Sequence, residues 1–149
     1  KGIFLAITFI PLAVVTIRAS RFIPHVNIES VTASSLLLAY LYGPNLASIF
    51  ALVAGMYGLF KANFIRFLLI VNWIHLIMTL YLMSLLKGLS FDMYFIIGIL
   101  LKNLISFLIF LVLDPDQIQN ITHRITHTIW NLAIARLLFL VIYDLFRML

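Results

Sequence analysis

His75, Lys102 and Arg136 each stand inside a long apolar run. A Lys or Arg at the centre of a lipid-embedded helix costs roughly 2.5–3.5 kcal/mol to insert. Such residues face a bundle interior or a cavity and mark binding or transport chemistry. Further polar residues fall on the same helical faces. Asn72, His75 and Thr79 are spaced i, i+3, i+7; Lys102 and Ser106 are spaced i, i+4, with Asn103 beside them. His127 and Asn131 are again spaced i, i+4. These residue types suit one task. Two cations with no carboxylate at the same depth hold an anion, while the asparagines and His75 hydrogen-bond its polar edges and Trp73 stacks on a ring. The competing reading has Lys102 and Arg136 snorkelling to headgroups or meeting acids on a partner subunit.

Other chemistry finds little support. His123 and His127 could be two metal ligands one helical turn apart, but no third ligand is evident beyond Asp114 or Asp116 across a loop. They read better as the interfacial start of a helix, and no metal or other cofactor is expected. The chain has no P-loop, no His-Glu-x-x-His and no Gly-x-Ser-x-Gly. An enzyme is not expected. With no cysteine among 149 residues, thiolate metal sites and disulfides are excluded.

Composition fixes the environment. Hydrophobic residues make up 64% and charged residues 10%, against about 25% charged in a soluble domain, so a water-facing surface cannot be built. The net charge of +5 comes from basic residues scattered singly, which argues against nucleic acid and for anchoring at lipid headgroups.

Charges and breakers divide the chain into six apolar segments within a single domain, residues 1–149. A spanning helix needs about 20 apolar residues. The first segment, Ile3 to Ile17, contains Pro11, where a kink is expected. No small-residue cleavage site is evident after it. A polar hairpin follows from Arg18 to Ser30. Gly43-Pro44-Asn45 then splits an uncharged stretch into two short helices, about Val31 to Tyr42 and Leu46 to Phe60. The remaining helices are expected over about 64–86, 91–113 and 121–148, with Ser90 capping the fifth. Ala47, Ala51, Ala54, Gly55 and Gly58 form a small-residue stripe that favours close helix packing. The expectation is an all-α polytopic membrane protein: six transmembrane helices, two of them short, in one bundle. Counting Lys and Arg places the loops opposite the termini in the cytoplasm.

The stretch Phe22-Ile-Pro-His-Val-Asn-Ile-Glu-Ser-Val-Thr-Ala33, continued by Leu36-Leu-Leu-Ala-Tyr-Leu-Tyr-Gly-Pro44, resembles the entry to the second helix of S-components of energy-coupling-factor (ECF) vitamin transporters. The resemblance covers about a quarter of the chain. It implies a substrate-binding subunit, not an enzyme, in a cell (inner) membrane. It implies a vitamin-like small molecule held by helices four to six and the first loop, with His25, Asn27 and Glu29 as a lid. A membrane coupling subunit and two ATPases would be its partners, and its termini would lie inside. The end of the chain, Trp130-Asn-Leu-Ala-Ile-Ala-Arg136 through Asp144-Leu-Phe-Arg147, is similar to the last helix of MreD-type rod-shape proteins. That similarity implies a non-transporting scaffold for cell-wall synthesis.

Overall fold

The computed structural model describes residues 1–19, 30–61, 67–86, 88–113 and 117–148. The described residues are helical, with short turns and no strand. The helices are α1 (Gly2–Ala19), α2 (Val31–Tyr42), α3 (Pro44–Lys61), α4 (Phe67–Met83), α5 (Phe91–Leu113), α6 (Gln117–Trp130) and α7 (Arg136–Met148). A 3₁₀ turn, Ser84–Leu86, closes α4. A π-helical turn, Asn131–Ala135, joins α6 to α7, so these two run on as one sixth rod. Among the described residues, three helices are long and apolar enough to cross a membrane: Gly2–Ala19, Phe91–Leu113 and Arg124–Met148.

Local chemistry accounts for the boundaries. Between α2 and α3, Gly43 adopts φ 94°, ψ 166°, a region essentially reserved for glycine. Pro44 then opens α3, where a missing N–H costs nothing. The break predicted at Gly43-Pro44 is thus present, though α3 begins two residues before the expected Leu46. At the start of α5, the Met93 N–H points to Ser90 Oγ at 3.4 Å, the predicted cap. Asp92 follows in the first turn. Helix α1 continues through Pro11.

Helix α2 is the axle of the bundle. Its residues Val31 to Ala39 are all buried, and at twelve residues, about 18 Å, it falls short of a bilayer. It packs on α1, α3, α5 and α7. Its N-terminal end is tied to α1, where the Ser30 N–H donates to Thr16 Oγ1 at 3.1 Å. Its other end meets the start of α5. The Tyr40 hydroxyl donates to the Leu89 carbonyl at 3.0 Å, and the Tyr40 ring contacts Phe91 and Tyr94. One turn back along α2, Leu36 covers Gly98. The two helices therefore run antiparallel, and α2 flanks only the first half of α5.

The small-residue stripe of α3 is buried as the spacing predicted. A side chain at Gly55 would strike the indole of Trp73, and one at Gly58 would strike Ile17. These glycines let α3 approach α4 and α1 closely. Around the middle of the molecule, Phe9 meets Phe50 and Phe139, and Phe139 stacks on Phe95. Near one end, Tyr143 stacks on Phe91 and meets Tyr40 edge-on.

On α4, α5 and α6 the polar faces turn inward and the apolar faces outward. In α6, His127 is 1% exposed and Asn131, at its junction with the π-turn, is fully buried, while Ile125 is 54% and Ile129 60% exposed. In α5, Lys102 and Ser106 are buried and Leu100, Leu104 and Leu108 are bare. In α4, His75 and Thr79 are buried, and Ile74 and Met78 are bare. Polar side chains held between helices, with apolar ones on the outer faces, are the pattern a lipid solvent imposes.

Candidate functional site

The site is built on the facing sides of α4, α5 and α6. Helix α5 supplies Lys102, Ser106 and Phe110 at four-residue steps, one buried stripe. On the α6 side, Lys102 Nζ lies 3.4 Å from His127 Nε2. The side-chain amide of Asn131 lies 3.3 Å from the same nitrogen and donates to the His127 carbonyl at 2.9 Å. That carbonyl bond fixes which end of the Asn131 amide is nitrogen. Lys102 and Asn131 both bring donors to Nε2, so Nε2 must accept. Beside this cluster, Asn103 Nδ2 donates to Thr128 Oγ1 at 2.7 Å, and the Thr128 hydroxyl donates to the Arg124 carbonyl at 2.8 Å.

Two turns along α5, about 12 Å from Lys102, Phe110 joins the other two helices. The His75 ring of α4 meets its edge at 5.7 Å between centroids. The Arg124 guanidinium of α6 lies 4.8 Å from its centroid. His75 is anchored through its own turn, where Thr79 Oγ1 donates to the His75 carbonyl at 2.8 Å. Both His75 ring nitrogens, and Asn131 Oδ1, are buried with no hydrogen-bond partner among the described residues. Most buried polar atoms in folded proteins have such partners.

The predicted residues therefore divide. His75, Lys102, Asn103 and Asn131 come together along the α4–α5–α6 interior, and Asn72 sits half-buried one turn before His75. Trp73 turns away from them. Its indole packs on Gly55 of α3, because residues two apart on a helix point in nearly opposite directions. The proposed lid residues His25, Asn27 and Glu29 lie outside the described residues, as do Asp114 and Asp116. His123 is one turn before His127 on α6. Among the described residues, no three His, Cys, Asp or Glu side chains gather as a metal site.

Arg136 requires a correction. The expectation placed its charge with Lys102 and without a carboxylate. Instead, Arg136 Nε and Nη2 donate to Asp92 Oδ1 and Oδ2 at 2.6 and 2.7 Å, a bidentate pair about one-third exposed on each side. Asp92 is ten residues from Lys102, about 15 Å along α5. The reason is side-chain length. Phe139 faces Phe95 and Tyr143 faces Phe91, so the Arg136 backbone starts deeper than Asp92 and its side chain runs along the axis to reach it. Helical-face arithmetic locates Cα atoms, not guanidinium groups, and so misses this partner. It also misses the π-turn, for which the sequence carries no local signal. His127 as the neighbour of Lys102 was within reach, since its face had been recognised.

Compared with known proteins, the chain matches no family model, no curated protein and no solved structure.

Proposed function

We propose that this chain is a six-span integral membrane protein, resident in a cell (inner) membrane, whose α4–α5–α6 interior binds a small acid. In this reading it is the substrate-binding subunit of an uptake system of the S-component kind. The Lys102 ammonium provides the charge for a carboxylate or phosphate. His75 and Asn131 recognise the polar edge of the molecule, with Asn72 and Asn103 at the margins. The chain carries no nucleotide-binding motif, so active uptake needs partners: a membrane coupling subunit and ATPases.

One observation carries the reading. A buried ammonium lies between the same three helices as polar atoms, on His75 and Asn131, that have no partner among the described residues. Each such atom costs about 1–3 kcal/mol when left dry and unsatisfied. A bound molecule that supplies the missing donors and acceptors offsets that cost. The resemblance at Phe22 to Pro44 points the same way.

A second reading, a non-transporting scaffold subunit of the MreD kind, draws on a different fact. Arg136 is satisfied within the chain by Asp92, which removes one of the two cations an anion would have used.

The test is mass spectrometry of the small molecules retained by protein purified gently in detergent. Wild-type protein is expected to carry a small acid that is lost in Lys102→Met and kept in Leu104→Ala, a change on the bare face of α5. Identical small-molecule profiles for wild type and Lys102→Met would overturn the ligand reading. Stoichiometric membrane partners without any retained acid would favour the scaffold.

A further inference from the structure

The π-turn separates two polar anchors to α5: the α6 cluster, where His127 meets Lys102 and Thr128 meets Asn103, and the Arg136–Asp92 pair of α7. The first residue of the turn is Asn131, which engages His127 beside Lys102. Arg136 follows its last residue and engages Asp92. The Arg136 N–H donates to the Asn131 carbonyl, five residues back instead of four. The turn solves a geometric problem. The rod's buried positions His127, Asn131, Ala135 and Phe139 are spaced by four residues throughout. In a regular α-helix of 3.6 residues per turn, three such steps drift by about 120°. Phe139 would leave the Phe9–Phe95 core, and Arg136 would be carried away from Asp92. A wider turn cancels part of the drift and keeps both halves of the rod facing inward. Regular α-helix is the ordinary alternative for these five residues, and π-turns are frequent at functional sites.

We propose that Asn131–Ala135 is a register switch. In the π register both anchors are closed. In the α register α7 rotates relative to α6, and the Asp92–Arg136 pair opens. The side-chain bonds of Asn131 hold the π register from one side, and the ion pair holds it from the other. Each anchor therefore stabilises the other through the turn between them. This coupling of the two anchors stands without any ligand. That a bound acid uses it, by adding a donor to Asn131 Oδ1 and so favouring the π register, rests on the function proposed above.

The chain has no cysteine, so spin labels can be placed at will. Leu100 of α5 and Leu145 of α7 are both well exposed. Distances between labels at these two positions are measured in nanodiscs by double electron–electron resonance. Wild-type protein is expected to give one dominant distance, and Asn131→Ala a second population. Lys102→Met disturbs the same anchor from α5 and serves if Asn131→Ala does not fold. Reversible unfolding of Asn131→Ala, Asp92→Asn and the double variant gives a second readout. Sites this far apart without shared partners multiply in their effects on the unfolding constant to within about twofold. The switch predicts a departure of about fivefold or more, the lower end of allosteric coupling. An unchanged single distance in the variants, or multiplicative unfolding effects, overturns the switch whether or not a ligand is found.

Discussion

Lys102 and Arg136 look alike in the sequence and differ in the fold. Both are single cations inside apolar runs, and a helical wheel places each on an inward face. Lys102 stays in the interior, beside His127 and Asn131. Arg136 extends along the helix axis to Asp92, ten residues before Lys102 on α5. The faces Asn72–His75–Thr79, Lys102–Ser106 and His127–Asn131 were legible because helical period alone dictates them. The partner of Arg136 was not, because a long flexible side chain chooses among several turns of the neighbouring helix. At this scale His75 offers a clean test. Its ring packs edge-to-face with Phe110, and the larger phenyl ring of His75→Phe keeps an aromatic there at a cost of about 1–3 kcal/mol in stability. Retention of the bound acid should fall by up to about tenfold, the worth of one hydrogen bond. Thermal melting and competition binding on the same preparation separate the two effects.

At the scale of elements, the breakers and small residues carry most of the legible information. Gly43-Pro44 divides two helices because only glycine tolerates the conformation before that proline. Replacing Gly43 by Ala is expected to cost about 1–3 kcal/mol, the usual strain of a forbidden backbone region, read from the shift in unfolding midpoint. The stripe on α3 makes a second prediction. Gly58→Leu drives a side chain into Ile17 of α1, so it should destabilise by about 1–3 kcal/mol and weaken the α1–α3 contact. Replacing Leu52, on the exposed side of α3, by Ala should be nearly neutral in a detergent micelle. The π-turn was not legible. Leu132, Ala133, Ile134 and Ala135 are ordinary helix residues, and the wide turn arises from anchors on both sides of them, a tertiary demand.

At the scale of the molecule, the inside-out distribution of polarity explains why composition alone pointed to lipid. Ile125, Ile129, Leu104 and Leu108 are bare while Lys102, His127 and Asn131 are buried. Water would reverse that arrangement. Among the described residues three helices are long and apolar enough to cross a membrane, and α2 survives at twelve residues because protein surrounds it. The half-length α2 leaves the far half of α5 to α4 and α6, which is where His75, Phe110 and Arg124 meet. The proposed six crossings place Lys1, Gly88 and Met148 on one side of the membrane. Single cysteines introduced at these positions should label together from that side with a membrane-impermeant reagent. Labelling of Gly88→Cys from the side opposite Met148→Cys would contradict six crossings.

The most direct measurement is the native mass of the wild-type protein released from nanodiscs, compared with that of Lys102→Met. The account predicts a one-to-one adduct with a small acid on the wild-type chain and its absence from the variant. A bare wild-type chain, or one held only in stoichiometric complex with other membrane proteins, would contradict a binding site at Lys102 and leave that lysine as part of a scaffold's interior.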